Sequence, residues 1–219
     1  MYRLLFFLLL LTSFSFGQNS FNFWELMSQT EKEHFLNNSN INKLALDYYS
    51  DNFKVTDDEQ TFRLLDTLTH NNEFFPLYYF LFNKICAVSD GALSEVMGPY
   101  CLKMILNQPI FVINHFTFER KNFGKSQYLY QLYAFFIGEE FYFYNKKMSE
   151  LDYGFPEFKE LLFKELQNTR SDNSETLELF FIEIIENINK MGSVSYTHLR
   201  AHETVLDLVC RLLLDKKKD

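Results

Sequence analysis

Strand-like alternation between turn residues is almost missing from this 219-residue chain, which argues against a sheet-based fold. Basic residues are also in short supply, 21 Lys and Arg against 29 Asp and Glu, for a formal charge of −8. Without a basic patch to neutralise phosphate, nucleic acid and anionic lipid surfaces are excluded as partners. Cysteine is limited to three residues, so no multi-bridge disulfide framework is expected. Apolar runs are short. The longest, Leu4 to Leu11, falls well below the ~20 residues a membrane helix needs, and the aromatic stretch from Tyr128 to Tyr144 is interrupted by Glu139 and Glu140.

Motifs that would announce an enzyme are missing as well. Gly124-Lys125-Ser126 looks like the end of a phosphate-binding loop, but position 119, where the loop needs its first glycine, is Glu. His34, His70 and His115 form no His-Glu-x-x-His or close His/Cys spacing, so no metal or cofactor is expected and each histidine reads as a surface or helix-end residue. There is no Gly-x-Ser-x-Gly nucleophile elbow, and no cysteine stands in a thiol-protease context.

What is present begins with a leader. Met1-Tyr2-Arg3, the apolar run to Leu11 and a small residue at Gly17 form a secretory signal peptide over residues 1–17, with Gln18 as the expected mature start. The Asn/Lys/Phe-rich body after it resembles exported proteins of low-GC Gram-negative bacteria. Export places the chain in the periplasm or outside the cell. At the other end, Val194-Ser195-Tyr196-Thr197-His198-Leu199-Arg200-Ala201-His202-Glu203-Thr204 back-translates without conflict to the mosaic end and second-read adapter of transposon-based sequencing libraries. Leu208 to Leu214 stay in that adapter's frame. Residues 193–219 therefore resemble a translated artefact rather than native protein, and an amphipathic helix over 203–214 is the alternative.

Residues 18–192 remain as one helical domain, expected to be C-terminally truncated, and its charge is more acidic still, about −10. A domain of this size buries roughly 70% of its unfolded surface. Ser28-Gln29-Thr30-Glu31 and Thr56-Asp57-Asp58-Glu59 fit the capping box and predict helix starts near 29 and 57. Phe75-Pro76 opens a buried helix that stops at Ser89-Asp90-Gly91. A helix from Ala92 to Leu106 should kink at Gly98-Pro99, and Pro109 opens a short one to about Phe118. Further helices follow over 128–144, from Gly154-Phe155-Pro156, and over the stripe Leu177, Phe180, Phe181, Ile184, Ile185 and Ile188. About eight helices give an all-α irregular bundle or stacked helix pairs, with a solenoid-like stack as the variant that lacks repeat support.

Two groupings carry chemical interest. Cys86 and Cys101 are candidates for one disulfide in an oxidising compartment or for two buried thiols. Glu139 and Glu140 lie within Phe135-Phe136-Ile137-Gly138 and Phe141-Tyr142-Phe143-Tyr144, where an aromatic wall can raise a carboxyl pKa into the range of general acid work. Adjacent helical positions point about 100° apart, so only one of the two is expected inside. Tyr78, Tyr79, Phe80 and Phe82, with Tyr128, Tyr130 and Tyr133, are read either as core or as the rim of a sugar or peptide groove. The leading expectation is a non-enzymatic envelope protein that binds another protein or a cell-wall component. A glycan hydrolase using Glu139 or Glu140 is the alternative.

Overall fold

The computed structural model describes Trp24 and residues 27–69, 74–122, 129–144, 154–166 and 173–192. Residues 1–17, where a leader is expected, His70, Gly124-Lys125-Ser126 and the tail from 193 lie outside the described residues. Within them the fold is all-α, with ten helices and no strand. The helices are α1 Gln29–Leu36, α2 Lys43–Tyr49, α3 Glu59–Leu68, α4 Phe75–Val88 and α5 Gly91–Glu95. They continue with α6 Met97–Asn107, α7 Pro109–Asn122, α8 Leu129–Tyr144, α9 Phe155–Leu166 and α10 over 173–192. No described helix is long and apolar enough to cross a membrane.

Local chemistry explains most boundaries. Ser28 closes the expected capping box on α1: its hydroxyl accepts from the Glu31 amide, and the Glu31 carboxylate accepts from the Ser28 amide at 2.8 Å. The second box does not form. Asp58 takes the N-cap role instead, accepting from the Thr61 amide at 2.8 Å while Thr56 donates to its other oxygen, so α3 starts at Glu59 rather than near 57. Pro76 sits in the first turn of α4, where a missing amide costs nothing. Gly154 donates to Glu157 at the start of α9.

Three expectations about the helices need correction. The kink at Gly98-Pro99 is a full break: α5 ends at Val96 and α6 begins at Met97, so Pro99 falls in a first turn instead of an interior. α7 runs on past Phe118 to Asn122, adding Glu119 and Arg120 to its face. The sequence pattern missed α2, a seven-residue helix capped by Asn42.

α8 is the central element, packed against α4, α5, α6 and α7. Glycine permits its closest approach. A Cβ on Gly98 would lie 2.5 Å from Glu140 Cβ and 2.7 Å from the Phe136 carbonyl oxygen, distances that backbone cannot accommodate. On its other flank Gly138 leaves room for Asn187 of α10. Gln131 bonds Glu183, and Tyr142 lies beside Gly192, so α8 and α10 run in parallel.

The aromatic residues fill this interior. Tyr79, Tyr133, Phe82, Phe116, Phe136, Phe158 and Phe180 are fully buried. Phe116 alone meets Tyr130, Tyr133 and Phe180 at ring-centroid distances of 5.3 to 6.3 Å, within the range where ring pairs attract beyond simple area burial. The groove reading of these tyrosines is therefore overturned: Tyr78, Tyr79, Phe82, Tyr130 and Tyr133 are core, Phe80 is half-buried against Trp24, and Tyr128 lies outside the described residues.

Candidate functional site

Glu139 and Glu140 separate as helical geometry requires. Glu140 is 5% exposed and packs its Cβ against the Gly98 backbone. Glu139 is half-buried, and its Oε2 is shielded from solvent without a hydrogen-bond partner. Burial raises its pKa, and the nearby Glu95 carboxylate of α5 raises it further. The general-acid environment expected of this pair thus falls on Glu139, on the α5 side of α8.

A second polar group was not foreseen. His115 is buried, not a surface or helix-end residue, and its Nδ1 lies 2.7 Å from the Tyr79 hydroxyl of α4. Its Nε2 lies 3.7 Å from Glu119 Oε1, one turn along α7. An ion pair there would push the histidine up and the glutamate down. Burial acts in the opposite sense on both and prevails, lowering His115 to about 4 and raising Glu119 to about 7, because removing two ions from water costs more than one contact at this distance returns. The other Glu119 oxygen accepts the Leu129 amide at 2.8 Å, which satisfies an open donor at the start of α8. Nearby, Asn83 accepts from the Tyr133 hydroxyl at 2.8 Å.

Further along, α7 is stitched to α10. The Thr117 hydroxyl sits 2.9 Å from Asn173 Oδ1 and 3.0 Å from Thr176, and the Asn173 amide donates to Asn114 at 2.8 Å. Arg120 grips Glu175 with both guanidinium nitrogens. Every one of these buried groups is satisfied, so the arrangement fixes the α7–α10 crossing and offers no open valence for a ligand.

His34 is exposed on α1. Cys86 of α4 and Cys101 of α6 are free buried thiols, and the Cys101 pKa is raised by burial and further by the Cys86 thiol near it. Among the described residues no group of three or more His, Cys, Asp or Glu is arranged to hold a metal ion.

The outer surface of α9 and α10 shows the opposite chemistry. Phe163, Ile182 and Ile185 are 37%, 50% and 42% exposed. The Phe163 ring lies 5.4 Å from the buried Phe181, Ile185 follows Phe181 by one turn, and Ile182 and Ile185 stand three residues apart on α10. Lys159 lies over both rings. Glu160, Glu178 and Glu186 are exposed around it. Neither protein-family models, nor curated proteins, nor solved structures provide a match to this chain.

Proposed function

We propose that this chain is an exported interaction protein of the cell envelope that binds another protein through the outer face of α9 and α10. The exposed Phe163–Ile182–Ile185 patch carries the reading, since contiguous apolar surface rimmed by charge is the mark of a docking site. Its rim supports one chemistry for the occupant. Glu160, Glu178 and Glu186 favour a segment that presents apolar side chains flanked by Lys or Arg. The leader over residues 1–17 supports export to the periplasm or beyond.

Titration with two synthetic amphipathic peptides tests this. One carries Leu and Lys at helical spacing, the other Leu and Glu. The Lys peptide should bind and weaken as salt rises, while the Glu peptide should not. Equal binding of both, or of neither, contradicts the proposed partner.

The glycan-hydrolase alternative draws support from one observation, the shielded and unpaired Glu139 Oε2 beside Glu95. In that reading a protonated Glu139 donates to the leaving oxygen of a glycosidic bond. Turnover of cell-wall glycan that disappears in Glu139→Gln supports it, and unchanged turnover removes Glu139 from catalysis.

A further inference from the structure

Tyr79 of α4, His115 and Glu119 of α7 and the first amide of α8 form a chain in which the Tyr79–His115 and Glu119–Leu129 links are formed hydrogen bonds. At 3.7 Å, His115 Nε2 and Glu119 Oε1 are one small side-chain rotation from contact. Each of the three side chains acts as both donor and acceptor, or changes from one to the other with a proton: Tyr79 through its hydroxyl, His115 through its tautomer, Glu119 through ionisation.

We propose that this chain is a reversible hydrogen-bond wire whose direction is set by the protonation of Glu119, which makes the α7–α8 junction a proton sensor. With Glu119 ionised, the imidazole presents Nε2–H to the carboxylate, leaving Nδ1 bare to accept from the Tyr79 hydroxyl. When Glu119 takes up one proton from solvent, its carboxyl becomes the donor and points at Nε2. The ring remains neutral, but its own proton moves to Nδ1 and donates to the Tyr79 oxygen. The Tyr79 hydroxyl hydrogen then rotates away from the imidazole. One proton enters and no heavy-atom bond changes.

The consequence reaches α8. The Leu129 amide donates to an ionised Glu119 in a charge-assisted bond at the positive end of a 16-residue helix. Protonation reduces it to a neutral bond, so the first turn of α8 is held less firmly.

Among the described residues, few titratable groups face this junction. α4 contributes Tyr79 and Cys86, α6 contributes Cys101, and α8 contributes Tyr133. On α7 itself Arg120 is engaged with Glu175 of α10, and the buried residues of α9 are apolar. Burial pushes Tyr79, Tyr133 and Cys101 up from their ordinary values. Burial brings Glu119 to about 7, near neutrality, while it lowers His115 to about 4 and keeps the ring neutral there.

Nitrogen-15 NMR of the full chain with labelled histidine tests the wire, because protonated and bare ring nitrogens of a neutral imidazole resonate far apart. From about pH 9 down to about pH 5, the two His115 nitrogens should exchange roles, Nε2–H to Nδ1–H, with one midpoint near neutrality. In Glu119→Gln the tautomer should not change across that range. A His115 ring that keeps Nε2–H throughout overturns the proposal, as does one that becomes doubly protonated with a midpoint near 6.5, which would show an ordinary ion pair. The wild-type titration decides the matter even if the Gln variant does not fold.

Discussion

α7 and the α9–α10 face invert the usual arrangement in opposite ways: α7 buries polar groups, and α9–α10 expose apolar ones. The interior polar groups are paired in detail, from Tyr79 to Glu119 and from Asn114 to Glu175, so they orient helices and respond to protons. The exterior apolar groups have Lys159 laid across the Phe163 ring and are otherwise partly open to solvent. A buried polar group already has its partner in the fold, whereas an exposed phenylalanine beside two isoleucines gains by finding one. The interior thus supplies cohesion, and the proposed function puts recognition on the surface.

Changes inside should then act on stability, the largest first. Phe116→Ala removes a ring that meets three others and should cost about 3–5 kcal/mol in denaturant unfolding. A loss under 1 kcal/mol would mean the interior repacks freely. Next comes the cysteine pair. The expected Cys86–Cys101 bridge, closing a loop this short, should add about 3 kcal/mol on oxidation, read as a higher unfolding temperature without reductant. Two alkylated thiols by mass spectrometry after oxidation would show that they cannot link.

A subtler test uses the opposed pair on α7. Glu119 has a raised folded pKa, so its contribution is fully present below its unfolded value of 4.5 and is lost as pH climbs through about 7. His115 has a lowered folded pKa, so the fold loses stability as pH falls from its unfolded value of 6.5 through about 4. Between 4.5 and 6.5 the two slopes cancel. Wild-type stability from this pair should be flat there. His115→Phe should reveal a fall toward neutral pH, and Glu119→Gln a fall toward acid. Identical slopes in both variants would show that the two groups do not oppose one another.

Much of the fold was legible because its signals are local. The Ser28 capping box, Pro76 in a first turn and the glycine-proline opening of α9 each act within four residues of themselves. The Leu177–Phe181 stripe also identified the buried side of α10, but it extended too far: Ile185 proved exposed, because nothing among the described residues covers that side. What could not be read depends on distant partners. His115 looked like any isolated histidine, since Tyr79, which holds it, is 36 residues away. Glu140 went inside and Glu139 half out because Gly98, on another helix, opens space for only one of them. α7 was cut short at Phe118 because Glu119-Arg120-Lys121 reads as a solvated loop until Arg120 meets Glu175 on α10.

The smallest expected effect on stability is also the sharpest test of the contrast. Ile182→Glu with Ile185→Glu alters two half-exposed residues, and each such surface change usually stays within about 0.5 kcal/mol. Unfolding and binding of the Leu/Lys peptide are measured on the same preparation of wild type and double variant. Near wild-type unfolding together with a loss of binding of at least about tenfold, or 1.4 kcal/mol, is the predicted result. A variant that unfolds easily, or one that binds as well as wild type, would show that this face belongs to the fold and not to a partner.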